Sequence, residues 1–192
     1  MITFKGILKE ERIHELVRAD TEGWHVVDTS LADKLGAFIV LLIPLLCGLK
    51  SMGIRYDDSI YTLFLYDAFG LILCFSIMFL HEILHALSFG KKAQVDIWFY
   101  KFGMITYCIE KRQKNKFLFM LLLPNILITL PISLILIFHP ITISAIFTKV
   151  TALMMLLIVM GAYSDIKHMI YIVRNRSKYH QYCISGDEFF CK

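Results

Sequence analysis

Charge is scarce in this chain: only 19% of its 192 residues are charged, while 57% are hydrophobic. A typical soluble domain carries about 25% charged and about 45–50% apolar residues. The deficit, with a mean hydropathy of +0.63, excludes an ordinary water-covered globule and points to lipid as part of the solvent. Paired cysteines are missing too. Cys47, Cys74, Cys108, Cys183 and Cys191 are scattered and none forms a C-x-x-C pair. That excludes a cysteine zinc site and a disulfide framework, and the thiols are read as reduced and mostly buried. Residues Met1 to Arg18 mix charges of both signs without an apolar run, so no signal peptide is read. Nor does any basic run interleave with aromatics, so the net charge of +4 is not read as a nucleic-acid surface. The densest basic stretch, Lys111, Arg112, Lys114 and Lys116, stands just before an apolar block and reads as a membrane-surface anchor.

What the chain does have is long apolar blocks. Four are expected to be membrane spans: Leu35 to Leu49, about Ile60 to Phe89, Phe117 to Phe138, and about Ala145 to Val173. The expected fold is therefore an α-helical integral membrane protein of about four transmembrane helices. Residues 1–34 form a cytoplasmic N-terminal segment, with an amphipathic helix suggested by Ile7, Ile13, Leu16 and Val17. Residues 35–173 form the membrane domain and 174–192 a cytoplasmic tail. Between the second and third spans, Gln94 to Tyr100 and Met104 to Ile109 are rich in β-branched and aromatic residues, which predicts a small cytoplasmic β-hairpin. Sixteen Lys and Arg residues fall in the N-terminal segment, long loop and tail, against three in the other connections. The positive-inside rule then places a multi-pass protein in the cell membrane with both termini cytoplasmic.

Chemistry concentrates in the second block, where His81-Glu82-Ile83-Leu84-His85 spells H-E-x-x-H. Side chains four apart share one helix face, so the two imidazoles can bind a single Zn²⁺. Glu82, beside them, can take the proton of the attacking water. Two histidines and a glutamate inside an apolar helix also need a functional reason. A catalytic zinc needs a third protein ligand. Asp165 closes an uncharged run from Val150 to Ser164. Counted from the expected span ends, Asp165 lies about 12 Å deep, within reach of His81 at about 12 Å and His85 at about 6 Å. His168, at about 7 Å, is the alternative. Asp165 is preferred because an unpaired carboxylate at that depth is the more costly group. Gly161 and Ala162 would let the helices approach closely. Asp67 is about 21 Å along the helix from His81 and is excluded, and Glu110 is an outside candidate only.

With these residues in place, the chain resembles the small bacterial zincin peptidases, which are similar to the site-2 protease type of intramembrane zinc metalloprotease. The resemblance covers roughly Lys34 to Arg174 and rests on His-Glu-Ile-Leu-His-Ala-Leu followed by Gly-Ala-Tyr-Ser-Asp, with weaker points at Tyr107-Cys108 and Pro124. It implies a third ligand at Asp165. The site-2 group often carries Asn-Pro before its aspartate, whereas this chain has Pro124-Asn125 in reverse order, and it lacks a PDZ-like segment. The expected activity is zinc-dependent hydrolysis of peptide bonds near the cytoplasmic membrane face, with membrane-embedded or membrane-associated proteins or peptides as substrates and the lipid bilayer as surroundings. A non-catalytic membrane adaptor, immunity or transport component with a structural or vestigial metal site is the alternative, and hydrolysis of a lipid-linked or other non-peptide amide is a third reading.

Overall fold

A computed structural model describes residues 1–8, 20–52, 60–100, 103–132, 134, 161–185 and 188–192. Two β-sheets and several helices make up these residues. Strands β1 (Ile2–Leu8), β3 (Val95–Tyr100) and β4 (Gly103–Tyr107) form one sheet in the order β1-β3-β4. Strands β2 (His25–Val26), β5 (Arg112–Gln113), β6 (Gln181–Ser185) and β7 (Glu188–Cys191) form the other, in the order β2-β7-β6-β5. Helices α1 (Leu31–Met52) and α2 (Ile60–Ser88) separate β2 from β3. Helix α3 (Lys114–Pro124) runs into a π-helical segment, Asn125–Thr129, and a helix over residues 161–174, here α4, precedes β6.

This architecture overturns the all-helical four-span fold. Among the described residues, one helix, Lys114–Ile132, is long and apolar enough to cross a membrane. An apolar run reports exclusion from water, not whether lipid or protein does the excluding. The end of α2 shows the difference: Ala86 and Phe89 pack in one buried cluster with Val95, Ile97, Phe117, Leu121, Ile172 and Tyr182. The connection at 53–59 and the stretch 135–160, which held parts of the expected first outer loop and third and fourth spans, lie outside the described residues. So do Ile13, Leu16 and Val17 of the expected amphipathic helix.

The expected hairpin forms as the antiparallel pair β3–β4, with Asp96 opposite Tyr107 and Trp98 opposite Ile105. Strand alternation explains its burial. Val95 and Ile97 face the helices, while Trp98, Ile105 and Tyr107 cluster with Leu8 and Ile184 on the other face. At the polar start of the chain Ile2–Leu8 is a strand, which includes Ile7 of the expected amphipathic helix, and it lies parallel to β3. The register shifts between Phe4 and Gly6, and Gly6 adopts φ +88, a conformation that glycine takes without a Cβ clash. Residues of the expected tail are also ordered: Tyr182, Cys183 and Cys191 are fully buried. Burial raises the Tyr182 phenol to about 12 and pushes the Cys183 and Cys191 thiols up, so all three stay protonated at neutral pH. Cys108 is buried and free as well.

Helix α1 begins with a reciprocal cap. The Asp33 N–H donates to Ser30 Oγ at 3.3 Å, and the Ser30 N–H donates to Asp33 Oδ2 at 2.8 Å. Arg174, at the end of α4, reaches both partners, at 3.0 Å from Asp33 Oδ2 and 2.7 Å from Ser30 Oγ. This clamp, with Ala37 and Leu41 packed on Ala162 and Ile166, fastens α1 to the helix that carries Asp165. Asp33 is completely buried. Asp33→Ala is therefore expected to lower unfolding free energy by about 2 kcal/mol, read by denaturant unfolding in detergent. Arg174→Ala is expected to cost less, because its side chain is half exposed.

The basic stretch divides its work. Arg112 is buried rather than lying on a membrane surface: Nη2 donates to the Ser88 carbonyl at the end of α2 at 2.7 Å, and the guanidinium lies 4.6 Å from the Phe89 ring centre. Lys114 Nζ donates to the Arg176 carbonyl, just past α4, at 2.7 Å. Arg112 thus answers an orphan carbonyl at a helix end, and Lys114 one in the turn that follows α4.

Candidate metal centre

Helical spacing brings His81 and His85 onto one face of α2, with ring centroids 4.8 Å apart. Helix α4 brings Asp165 against them. His81 Nε2 and His85 Nε2 lie 3.2 and 3.1 Å from Asp165 Oδ2, and 3.2 Å from each other. The three side chains are at most 12% exposed, so bulk water contributes little to satisfying them.

The near-equilateral triangle fits a metal ion. Donors on a tetrahedral zinc at about 2.0–2.1 Å stand about 3.3 Å apart. Proton accounting points the same way. The His85 Nδ1–H donates to the Met120 carbonyl at 2.9 Å, which leaves a lone pair on Nε2 in the neutral ring. That lone pair faces the Asp165 carboxylate at 3.1 Å. Two acceptors at this distance need a proton or a cation between them. Among the described residues, His81, His85 and Asp165 are the group of donors that could hold one.

The outer layer of the site comes from the π-helical segment that follows α3. The Asn125 Nδ2 amide donates to Asp165 Oδ2 at 3.2 Å and to the Leu121 carbonyl at 2.8 Å, and the Thr129 hydroxyl donates to Asn125 Oδ1 at 3.2 Å. Sequence reasoning set Asn125 aside because of its reversed order with Pro124, and it had no means of seeing the Met120 carbonyl. A polar Asn one turn before Thr129 in an apolar block was the available signal.

Glu82 carries the other candidate role. Burial pushes its carboxyl above the usual carboxylate range, against the opposing pull of His85 and His81. The Thr106 hydroxyl, from β4, donates to the Glu82 carbonyl at 2.9 Å, so the hairpin rests directly on the H-E-x-x-H turn. His168 stands apart: its ring stacks on Phe189 with centroids 3.9 Å apart and planes within 4°. Glu110 pairs with Arg112 Nε at 3.5 Å. The side chain of Asp67 lies outside the described ones.

Two imidazoles one turn apart, a neighbouring glutamate and a carboxylate from a second helix are the parts of a zincin-type metallopeptidase site. The chain belongs to the family described as "Putative zincin peptidase", whose model matches residues 74–179. The matched stretch spans the H-E-x-x-H turn, the hairpin, α3 and Asp165. It bears out the resemblance to the zincin peptidases and does not extend to the site-2 group. No curated protein and no solved structure gives a match.

Proposed function

We propose that this chain is a zinc-dependent peptidase acting at the membrane boundary, on peptide bonds of membrane-embedded or membrane-associated proteins near the cytoplasmic face. One observation carries the reading: the convergence of His81 Nε2, His85 Nε2 and Asp165 Oδ2 to 3.1–3.2 Å. These three residues would hold the ion, and Glu82 is the catalytic base. Zinc bound there supplies a Lewis acid that polarises a carbonyl and acidifies water. Glu82 accepts the proton of the attacking water and delivers it to the leaving amine. Strand β4 pairs with β3 along one edge and is, among the described residues, the last strand of its sheet, so its other edge can receive an extended substrate segment by strand addition. Through Thr106 that edge is tied to the turn that bears Glu82. An extended backbone exposes the scissile carbonyl, which a helix would keep hydrogen-bonded.

The membrane placement is supported by the apolar helix Lys114–Ile132. The basic residues Lys111, Arg112, Lys114 and Lys116 cluster at its start, which favours the cytoplasmic side for that end. Strand β5 leads into this end and pairs with β6 of the C-terminal segment, which supports the same side for the C-terminus.

The test is metal analysis of the full chain purified in detergent, alongside hydrolysis of a flexible peptide. The expected result is about one zinc per chain, with turnover abolished by a chelator and restored by zinc. Hydrolysis that survives complete zinc removal would overturn the reading.

A further inference from the structure

Helix α3 contains Pro124, and the chain turns π-helical immediately after it. Proline has no N–H, so the carbonyl four residues earlier loses its helical donor. For Pro124 that carbonyl belongs to Met120. The next backbone N–H, that of Asn125, goes to Leu122. The Met120 carbonyl is instead met by His85 Nδ1 at 2.9 Å. One residue on, the tightened Asn125 bond leaves the Leu121 carbonyl to the Asn125 side chain at 2.8 Å. The same amide group, through its second hydrogen, reaches Asp165 Oδ2 at 3.2 Å.

We infer that Pro124 is a positioning residue for the metal centre: by withholding one helical donor it reserves the Met120 carbonyl for His85 Nδ1–H and so fixes the imidazole tautomer that turns Nε2 towards His81 and Asp165. The inference deepens the zinc reading above and rests on it for its consequence, while its geometric core concerns the His85 ring alone. A carbonyl already engaged within a helix is a poorer acceptor for a side chain, and its outward approach is crowded by the following turn. An uninterrupted α3 would offer His85 only that weaker partner, and the ring would be free to carry its proton on Nε2. Hydrogen bonds that orient a ligating histidine are typically worth about 10–100-fold in metal affinity. A proline that serves only to bend α3 would leave that affinity untouched.

Pro124→Ala restores the missing N–H and is a favourable change for helix formation in itself. The control is Pro131→Ala, which restores an N–H just beyond the π-helical segment and away from Met120. Zinc affinity is measured on the full detergent-solubilised chain by competition with a chromophoric chelator. Expected are a loss of about tenfold for Pro124→Ala and a change within about twofold for Pro131→Ala, with the unfolding midpoint of Pro124→Ala unchanged or raised. Nitrogen-15 histidine spectra of the zinc-free chain supply the second readout. The His85 Nδ1–H of the wild type is expected to be hydrogen-bonded, and Pro124→Ala is expected to lose that bond. Equal zinc affinity in wild type and Pro124→Ala overturns the inference, as does an equal loss in both variants. A wild-type His85 that carries no proton on Nδ1 overturns it with no variant at all, and so covers the case in which Pro124→Ala does not fold. A wild-type chain that binds no zinc, yet shows the Nδ1–H bond and its loss in Pro124→Ala, would count against the peptidase reading while upholding the positioning of His85.

Discussion

Glu82→Gln is expected to lower kcat by about 10²–10⁴-fold while zinc content stays at the wild-type level. Glutamine keeps the shape and the hydrogen-bonding reach of the side chain but cannot accept and carry a proton. Zinc content should not change, because the three converging donors belong to His81, His85 and Asp165. KM is expected to move little, since the lost contribution belongs to the transition state and not to substrate binding. The fold should tolerate the change, because the bond between β4 and this turn runs from Thr106 to the Glu82 main-chain carbonyl. The measurement is steady-state hydrolysis with zinc determined on the same sample. Full activity in a zinc-replete Glu82→Gln protein would remove Glu82 from the chemistry.

The legible and illegible parts of this molecule separate by the range of the interactions involved. His81, Glu82 and His85 were readable because a helix makes a four-residue spacing into a spatial fact. Asp165 was readable by cost: a carboxylate ending a long uncharged run must be compensated by something. The partner that orients His85 was not readable, because a carbonyl group has no letter in the sequence and only the break at Pro124 makes it available. The same holds for the fold. The hairpin β3–β4 joins neighbouring segments and its alternation is visible. The pairing of β1 with β3 links residues about ninety positions apart, and the charged residues of the first segment masked its strand pattern.

The apolar blocks misled for a different reason. Their length was real: α1 and α2 run for 22 and 29 residues. Reading them as spans assumed that the remaining chain offered no other apolar surface to cover them. The C-terminal segment offers one. Tyr182 and Cys191 join the same buried cluster as the end of α2, and Phe189 covers both Phe117 and His168. That segment contains alternating Tyr, Ile and Phe residues around Gly186-Asp187, a turn signal in the sequence. Weighing it as a hairpin would have given the end of α2 a protein partner.

Asp165→Ala is expected to have the opposite signature to Glu82→Gln: zinc is lost first, and activity with it. Removing the carboxylate leaves two imidazoles, and a two-coordinate set cannot hold zinc in a tetrahedral site. Removing an orienting partner of a ligand typically costs about 10–100-fold in affinity, so removing the ligand itself should weaken zinc by at least about a hundredfold. Asn125→Ala supplies the graded comparison. It deletes the amide 3.2 Å from Asp165 Oδ2 but keeps all three donors, so a loss nearer tenfold is expected. Chelator competition on the three proteins should therefore rank wild type, Asn125→Ala and Asp165→Ala in falling affinity. Excess zinc should restore turnover in Asn125→Ala and should not restore it in Asp165→Ala. The order matters more than either magnitude, because a carboxylate that merely paired with protonated histidines would not give it. In that case zinc binding would be indifferent to Asp165, and its removal would change stability alone.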